Sequence, residues 1–238
     1  MKWFKQSAIG QYIIKARIIA ANQKEMGDYG RSLRGLSLAE SPKSKPDSII
    51  ESTYQEYVGS ISTADKVISY ELVAFLWHIL QTIKPKLVID LGSGFSSYLF
   101  RYYQSTAVEP CRVISCDDSE HWLERTHHFL RTKHLSSDDL MLWDTFITQC
   151  NNESPDLILD DLGQIPARIK TLPQILSLTR PQTLTIIDDL HKYQLRRSVL
   201  GQLPSMKYHV YDLTPITYDH FGRYAWMMTL RNTNDDHN

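Results

Sequence analysis

Carboxylates recur in this chain at one kind of place. Short apolar runs end in Asp90, in Asp117 and Asp118, in Asp144, in Asp160 and Asp161, and in Asp188 and Asp189, with His191 just beyond the last pair. One acid at such a position is ordinary helix capping. A set in register suits a polar ligand with several hydroxyls or amines, or a hard cation. The first acid opens Asp90-Leu91-Gly92-Ser93-Gly94-Phe95-Ser96-Ser97, a glycine turn of D-x-G-x-G form. Its glycines let backbone approach a ligand closely. A dinucleotide fingerprint requires a third glycine where Ser97 stands, and a pyrophosphate would meet Asp90 as a like charge. Asp90 suits a cationic group instead.

These acids need a scaffold that brings strand ends together. Strands are expected at 86–90, 112–116, 139–143, 156–160, 183–188, 207–212 and 224–230, with helical spacing near 95–104, 119–133, 166–178 and 191–201. The polar stretch 144–153 is read as non-helical. Alternation of strand and helix implies right-handed crossovers and a mostly parallel α/β sheet, which binds ligands at the carboxyl ends of its strands. Only a loop, TPITYDHFGR, separates the last two strands, which predicts an antiparallel pair at the end of the sheet. Before the first strand, Ser62 and Asp65 are spaced as a helix cap and its third-position acid. Ala64, Val67, Ile68, Leu72, Phe75, Leu76 and Ile79 then form one helical stripe that Pro85 stops.

The 238 residues are 42% apolar and carry a net charge of −1, which argues against a general nucleic-acid binder. Cys111, Cys116 and Cys150 make no zinc-like cluster, and an odd count without a signal peptide predicts a reducing, cytoplasmic setting. Residues 1–24 hold Lys2, Lys5, Lys15, Arg17 and Lys24 and no acid, so +5 resides there and −6 in the remainder. This basic amphipathic stretch suits a cap on the domain, a homodimer contact or a peripheral anionic membrane surface. SPKSKPDS at 41–48 has linker composition. The expected organisation is therefore helix and linker over 1–48, the α/β domain over 49–231 and a disordered tail over 232–238.

The run VIDLGSGFSS at 88–97 resembles motif I of the class I S-adenosylmethionine-dependent methyltransferases, and the similarity extends over roughly residues 60–230. VISCDDSEHW at 113–122 is similar to that family's second strand with its ribose-binding acid, and the closing hairpin to its reversed seventh strand. The resemblance implies a Rossmann-like, seven-stranded, mostly parallel sheet with helices on both faces, a reversed last strand and an N-terminal helical extension. It also implies S-adenosyl-L-methionine as cofactor. Gly92, Ser93, Gly94 and Ser96 would then line the methionine moiety, with Asp90 near its amino group. Asp117 would take the ribose hydroxyls, with Asp118 as competitor, and Asp144 would sit near the adenine. Trp122 is a further candidate beside the nucleoside.

The doublets at 160–161 and 188–189 pose the mechanistic question. Asp160, Asp188 and Asp189 have the ligand chemistry for Mg²⁺ or Ca²⁺, and without a cation they would raise one another's pKa values. This resembles the metal-dependent O-methyltransferases of catechol and sugar type. The same acids also suit a metal-free site in which Asp160 helps hold the cofactor. His191 is the first candidate base, with Asp161 and Lys192 as alternatives. Three functions are left: a metal-assisted O-methyltransferase acting on a small molecule or sugar, a metal-independent methyltransferase with a nitrogen, carboxylate or protein acceptor, and a non-catalytic partner protein.

Overall fold

A computed structural model describes residues 8–33, 46–150, 152–203 and 207–231. Helix α1 (Ala8–Met26) leads through a single 3₁₀ turn to a two-residue strand, β1 (Gly30–Arg31). Helices α2 (Ser48–Ser60) and α3 (Tyr70–Ile83) precede β2 (Leu87–Leu91). There follow α4 (Phe95–Thr106), β3 (Arg112–Asp117), α5 (Glu120–Thr132), β4 (Leu140–Leu142) and α6 (Trp143–Gln149). The chain closes with β5 (Leu157–Asp160), α7 (Ile165–Leu178), β6 (Leu184–Ile187), α8 (Tyr193–Gln202), β7 (Tyr208–Asp212), the one-turn α9 (Thr214–Thr217) and β8 (Trp226–Leu230).

The strands form one sheet in the order β1-β7-β8-β6-β5-β2-β3-β4. All pairings are parallel except those of β8, which runs antiparallel to both β6 and β7. The mostly parallel α/β sheet with a reversed last strand is as expected, but the reversed strand lies inside the sheet and not at its end. The added strand β1 falls in a stretch read as loop. Two residues leave no alternation to detect, and β1 exists through its pairing with Val210 and Tyr211.

Alternation along each strand divides the core. Val88, Val113, Leu157 and Leu159 face the cluster built with α2, α3, α4 and α5. Ile89, Ile114 and Ile158 face the other side, with α6 and α7, and the neighbouring strands β6, β7 and β8 pack there against α1, α7 and α8. Buried on both faces, the strands read as continuous apolar runs.

Three expectations need correction. Helix α3 begins at Tyr70, capped by Ser69 Oγ, which accepts from Leu72 N at 3.1 Å, and not at Ser62. The carbonyls of Ala64, Asp65 and Val67 instead accept from the guanidinium of Arg223, at 3.0, 3.3 and 2.7 Å. Residues 61–69 thus form a loop whose Val67 and Ile68 are buried. The stretch after β4 is helical, because Trp143 and Phe146, three apart, both bury against β2 and β3. The segment between β7 and β8 contains the short helix α9, started by Leu213 and Pro215.

Helix α1 rests on the sheet edge. Asn22, buried, donates to Asp212 Oδ2 and Thr214 Oγ1 at 3.2 Å each and accepts from Tyr224 Oη at 3.1 Å. Among the described residues no helix is long and apolar enough to cross a membrane. The expected linker core at 34–45 and the tail at 232–238 lie outside the described residues.

Candidate active site at the carboxyl ends of the strands

A cleft of ≈ 730 Å³ opens over the carboxyl ends of β2, β3 and β5. The β2–α4 turn supplies Gly92, Ser93, Gly94 and Ser96 to it, β3 supplies Asp117 and Asp118, the β5–α7 loop supplies Asp161 and Gln164, and Asp189 reaches it from beyond β6. The 61–69 loop covers it with Ser62, Asp65 and Lys66. A second cavity of ≈ 530 Å³ between α1, β1 and α9 holds none of the strand-end acids except Asp212. The first cleft is the one with convergent polar groups.

The turn is shaped by close approach. Gly92 has φ +102°, and a Cβ there would lie 2.2 Å from the carbonyl oxygen of Asp161. Gly92 N donates to Cys116 O at 2.8 Å, and Asp161 N to Leu91 O at 2.7 Å, so three strand ends are fastened together. Gly94 starts α4 and Ser97 Oγ accepts from its N–H at 3.3 Å. Ser96 Oγ donates to Gly92 O at 3.3 Å.

Asp90 lies beneath this turn and does not line the cleft. Fully buried, its Oδ2 accepts from Ser97 Oγ at 2.6 Å and Ser115 Oγ at 2.8 Å, while Oδ1 has no hydrogen-bond partner. Ser115 Oγ also receives Arg101 Nη1 at 2.6 Å. Burial pushes the Asp90 pKa up, opposed by the serine hydrogen bonds and Arg101. The geometry therefore makes Asp90 a brace for the turn.

Asp117 ends β3 facing the cleft. Its Oδ2 accepts from Ser93 N at 2.7 Å and Ser93 Oγ at 2.9 Å, and its Oδ1 from Ser119 N at 2.9 Å. Burial pushes its pKa up to about 6 against those three bonds. A carboxylate has about four acceptor sites, so capacity remains for a ligand hydroxyl. Asp118 is exposed and packs over Gly163: a Cβ on that residue would fall 2.3 Å from Asp118 Oδ2. Asp144 is exposed in the first turn of α6 and is not part of the cleft wall. Trp122 lines the cleft with the Arg125 guanidinium 4.7 Å from its ring centre.

The acids after β5 and β6 converge on Arg168, a residue with no part in the sequence-based expectation. Its side chain is fully buried, with Nη1 3.3 Å from Asp161 Oδ1 and 3.8 Å from Asp189 Oδ2, and Nε 3.6 Å from Asp160 Oδ1. Nη2 donates to the carbonyls of Asp188, at 3.0 Å, and Asp160. Asp188 turns its Oδ1 back to Asp189 N at 2.6 Å, and burial with the neighbouring Asp189 raises its pKa to about 7. Asp160 is buried under the cleft and Asp189 sits at φ +60°. His191 Nδ1 faces Asp189 Oδ1 at 3.3 Å with a fifth of the side chain exposed. Burial lowers the His191 pKa, with Asp189 opposing.

Asp160, Asp188 and Asp189 do not fit a divalent metal. The guanidinium stands among them, 3.6 Å from Asp160 Oδ1 and 3.8 Å from Asp189 Oδ2, and already supplies their counter-charge. Among the described residues no three His, Cys, Asp or Glu side chains are grouped to hold a metal ion. The signal for Arg168 was present: with Leu172 and Ile175 it falls on the buried stripe of α7, where a lone arginine requires partners.

No family model matches the sequence, and no curated protein matches it. Solved structures do resemble the fold. A methyltransferase of Podospora anserina bound to SAH aligns with TM-score 0.62 and 14% identity over 92% of this chain and 96% of that one. An O-methyltransferase from Bacillus cereus in complex with SAH gives 0.58 and 17%, over 78% and 91%. The O-methyltransferase TomG of Streptomyces achromogenes, in complex with SAM and involved in tomaymycin synthesis, gives 0.57 and 13%, over 78% and 90%. At these identities the likeness establishes the fold, a Rossmann-like α/β sheet shared with solved methyltransferases.

Proposed function

We propose that the protein is an S-adenosylmethionine-dependent methyltransferase acting on a hydroxyl of a small molecule or sugar, without a divalent metal. The observation that carries this reading is the joining of the Gly92–Gly94 turn to Asp117 at the mouth of one cleft. The fold shared with SAM- and SAH-bound methyltransferases supports it.

S-Adenosylmethionine supplies an electrophilic methyl group on a sulfonium. The backbone of Gly92 and Gly94 would border its methionine part and Asp117 would accept from its ribose hydroxyls. The 61–69 loop lines one wall of the cleft with Ser62, Asp65 and Lys66. The chain must also take up the acceptor proton as oxygen attacks. His191 is the first candidate for that step: it stands just outside the cleft wall beside Asp189, which lines it, with Nδ1 3.3 Å from Asp189 Oδ1 and the Asp189 charge favouring proton uptake. Its lowered pKa keeps the imidazole neutral and able to accept. Asp161 is the alternative base: it lines the cleft, and burial pushes its carboxyl well above the usual carboxylate range against the opposing charge of Arg168.

Release of SAH from SAM, followed in EDTA against a panel of phenolic and sugar hydroxyl acceptors, tests the assignment. Turnover with at least one acceptor, suppressed in Asp117→Ala, is the expected result. Release with amine acceptors alone would refute the hydroxyl assignment.

A further inference from the structure

We propose that Arg168 is the resident cation of the strand-end acids, and that it positions Asp161 and Asp189 at the cleft wall. The side chain is wholly buried, yet every carboxylate and carbonyl around it belongs to two strand ends. Asp160 and Asp161 come from β5, and Asp188 and Asp189 from the end of β6. A lysine could not do this, since one ammonium cannot span three carboxylates and two carbonyls as a planar fork does. The guanidinium also meets backbone oxygens, so it fixes the loops themselves as well as neutralising their charge.

Two of the four acids, Asp161 and Asp189, reach the cleft, and Asp189 is the group facing His191. Arg168 thus acts on the reacting region through Asp189 and is a positioning residue. That last step rests on the methyltransferase reading; the cation assignment does not.

The test is calorimetric and thermal titration of the wild-type protein, Arg168→Met and Arg168→Lys with CaCl₂, MgCl₂ and MnCl₂, in the absence of cofactor. Wild type is expected to show no saturable binding at this cluster and no change in Tm. Arg168→Met leaves the acids without their cation and is expected to gain a response. An ion at a hundred times its Kd would raise Tm by roughly 5–10 °C in a domain of this size. Arg168→Lys is expected to stay indifferent to the ions while losing thermal stability.

Stoichiometric binding of any of these ions to wild type, abolished in Asp189→Asn, would overturn the proposal. So would a folded Arg168→Met that ignores them. Wild-type binding untouched by Asp189→Asn and Asp161→Asn places the ion elsewhere and supports the assignment. If Arg168→Met does not fold, the wild-type titration decides. An SAH titration run alongside separates the two readings: loss of SAH affinity throughout would refute the methyltransferase function and leave the cation result standing.

Discussion

Gly92 and Asp161 meet so closely that a single methyl group on the glycine would approach the Asp161 carbonyl oxygen to 2.2 Å. That oxygen is backbone, in the peptide whose Leu162 N donates to Asp160 Oδ1 at 3.3 Å, so it cannot swing aside as a side chain could. The turn that would border the methionine part of the cofactor is therefore fixed by the loop carrying the acids.

Gly92→Ala follows directly. Strain at positive φ and overpacking each cost about 1–3 kcal/mol. The variant is expected to lose SAH binding and to melt at least several degrees lower in a thermal scan. Retention of wild-type affinity would show that the turn has room to relax.

Asp117 predicts opposite pH responses for binding and folding. Burial pushes its carboxyl up to about 6, above the usual carboxylate range. The native state thus binds more protons between about pH 4 and 6, and stability from this group rises as pH falls through that window. Ribose hydroxyls need the ionised acceptor, so SAH affinity should fall over the same range. Calorimetry from pH 5 to 8 on wild type and Asp117→Asn checks both: the variant should bind weakly with a flat profile.

His191→Gln should lower kcat by about 10²–10⁴-fold, the usual weight of a positioned general base, with little change in SAH affinity. Asp189→Asn should produce a smaller loss, since asparagine tolerates the left-handed backbone of that position but orients the imidazole less well. Single-turnover rates on both variants measure this. Unaltered rates in His191→Gln would transfer the role to Asp161.

Arg223 holds the 61–69 loop by three carbonyls and pairs with Asp219 at 2.7 Å. Arg223→Ala should free the loop, weaken SAH by about tenfold or more, and open the chain to trypsin at Lys66. Limited proteolysis with and without SAH reads this out. Protection equal to wild type would remove the arginine from the account.

Strands β2, β3, β5 and β6 were legible because each is an apolar run closed by an acid, and Gly92 and Gly94 mark the turn after the first. Less accessible were features set by contacts distant in sequence. Strand β1 has only two residues and exists by pairing with β7. The start of α3 shifts to Tyr70 because Arg223, far along the chain, takes carbonyls a helix would use. Asp160, Asp188 and Asp189 were read as ligands of one metal ion; Arg168 stands beside Asp160 and Asp189, a partner that like charges at strand ends call for without naming it. Asp90, expected near a ligand ammonium, is buried beneath the turn with its Oδ2 bonded by Ser97 and Ser115.

The central claim is that this cleft binds the methyl donor with the turn and Asp117 and without metal. Calorimetric titration of SAH into wild type and Asp117→Ala, both in EDTA, tests it most directly. The account predicts micromolar, one-to-one binding to wild type and a loss of at least about tenfold in the variant, the value of a hydrogen bond to a charged group. Absence of binding to wild type, or binding restored only by added Mg²⁺ or Ca²⁺, would contradict it.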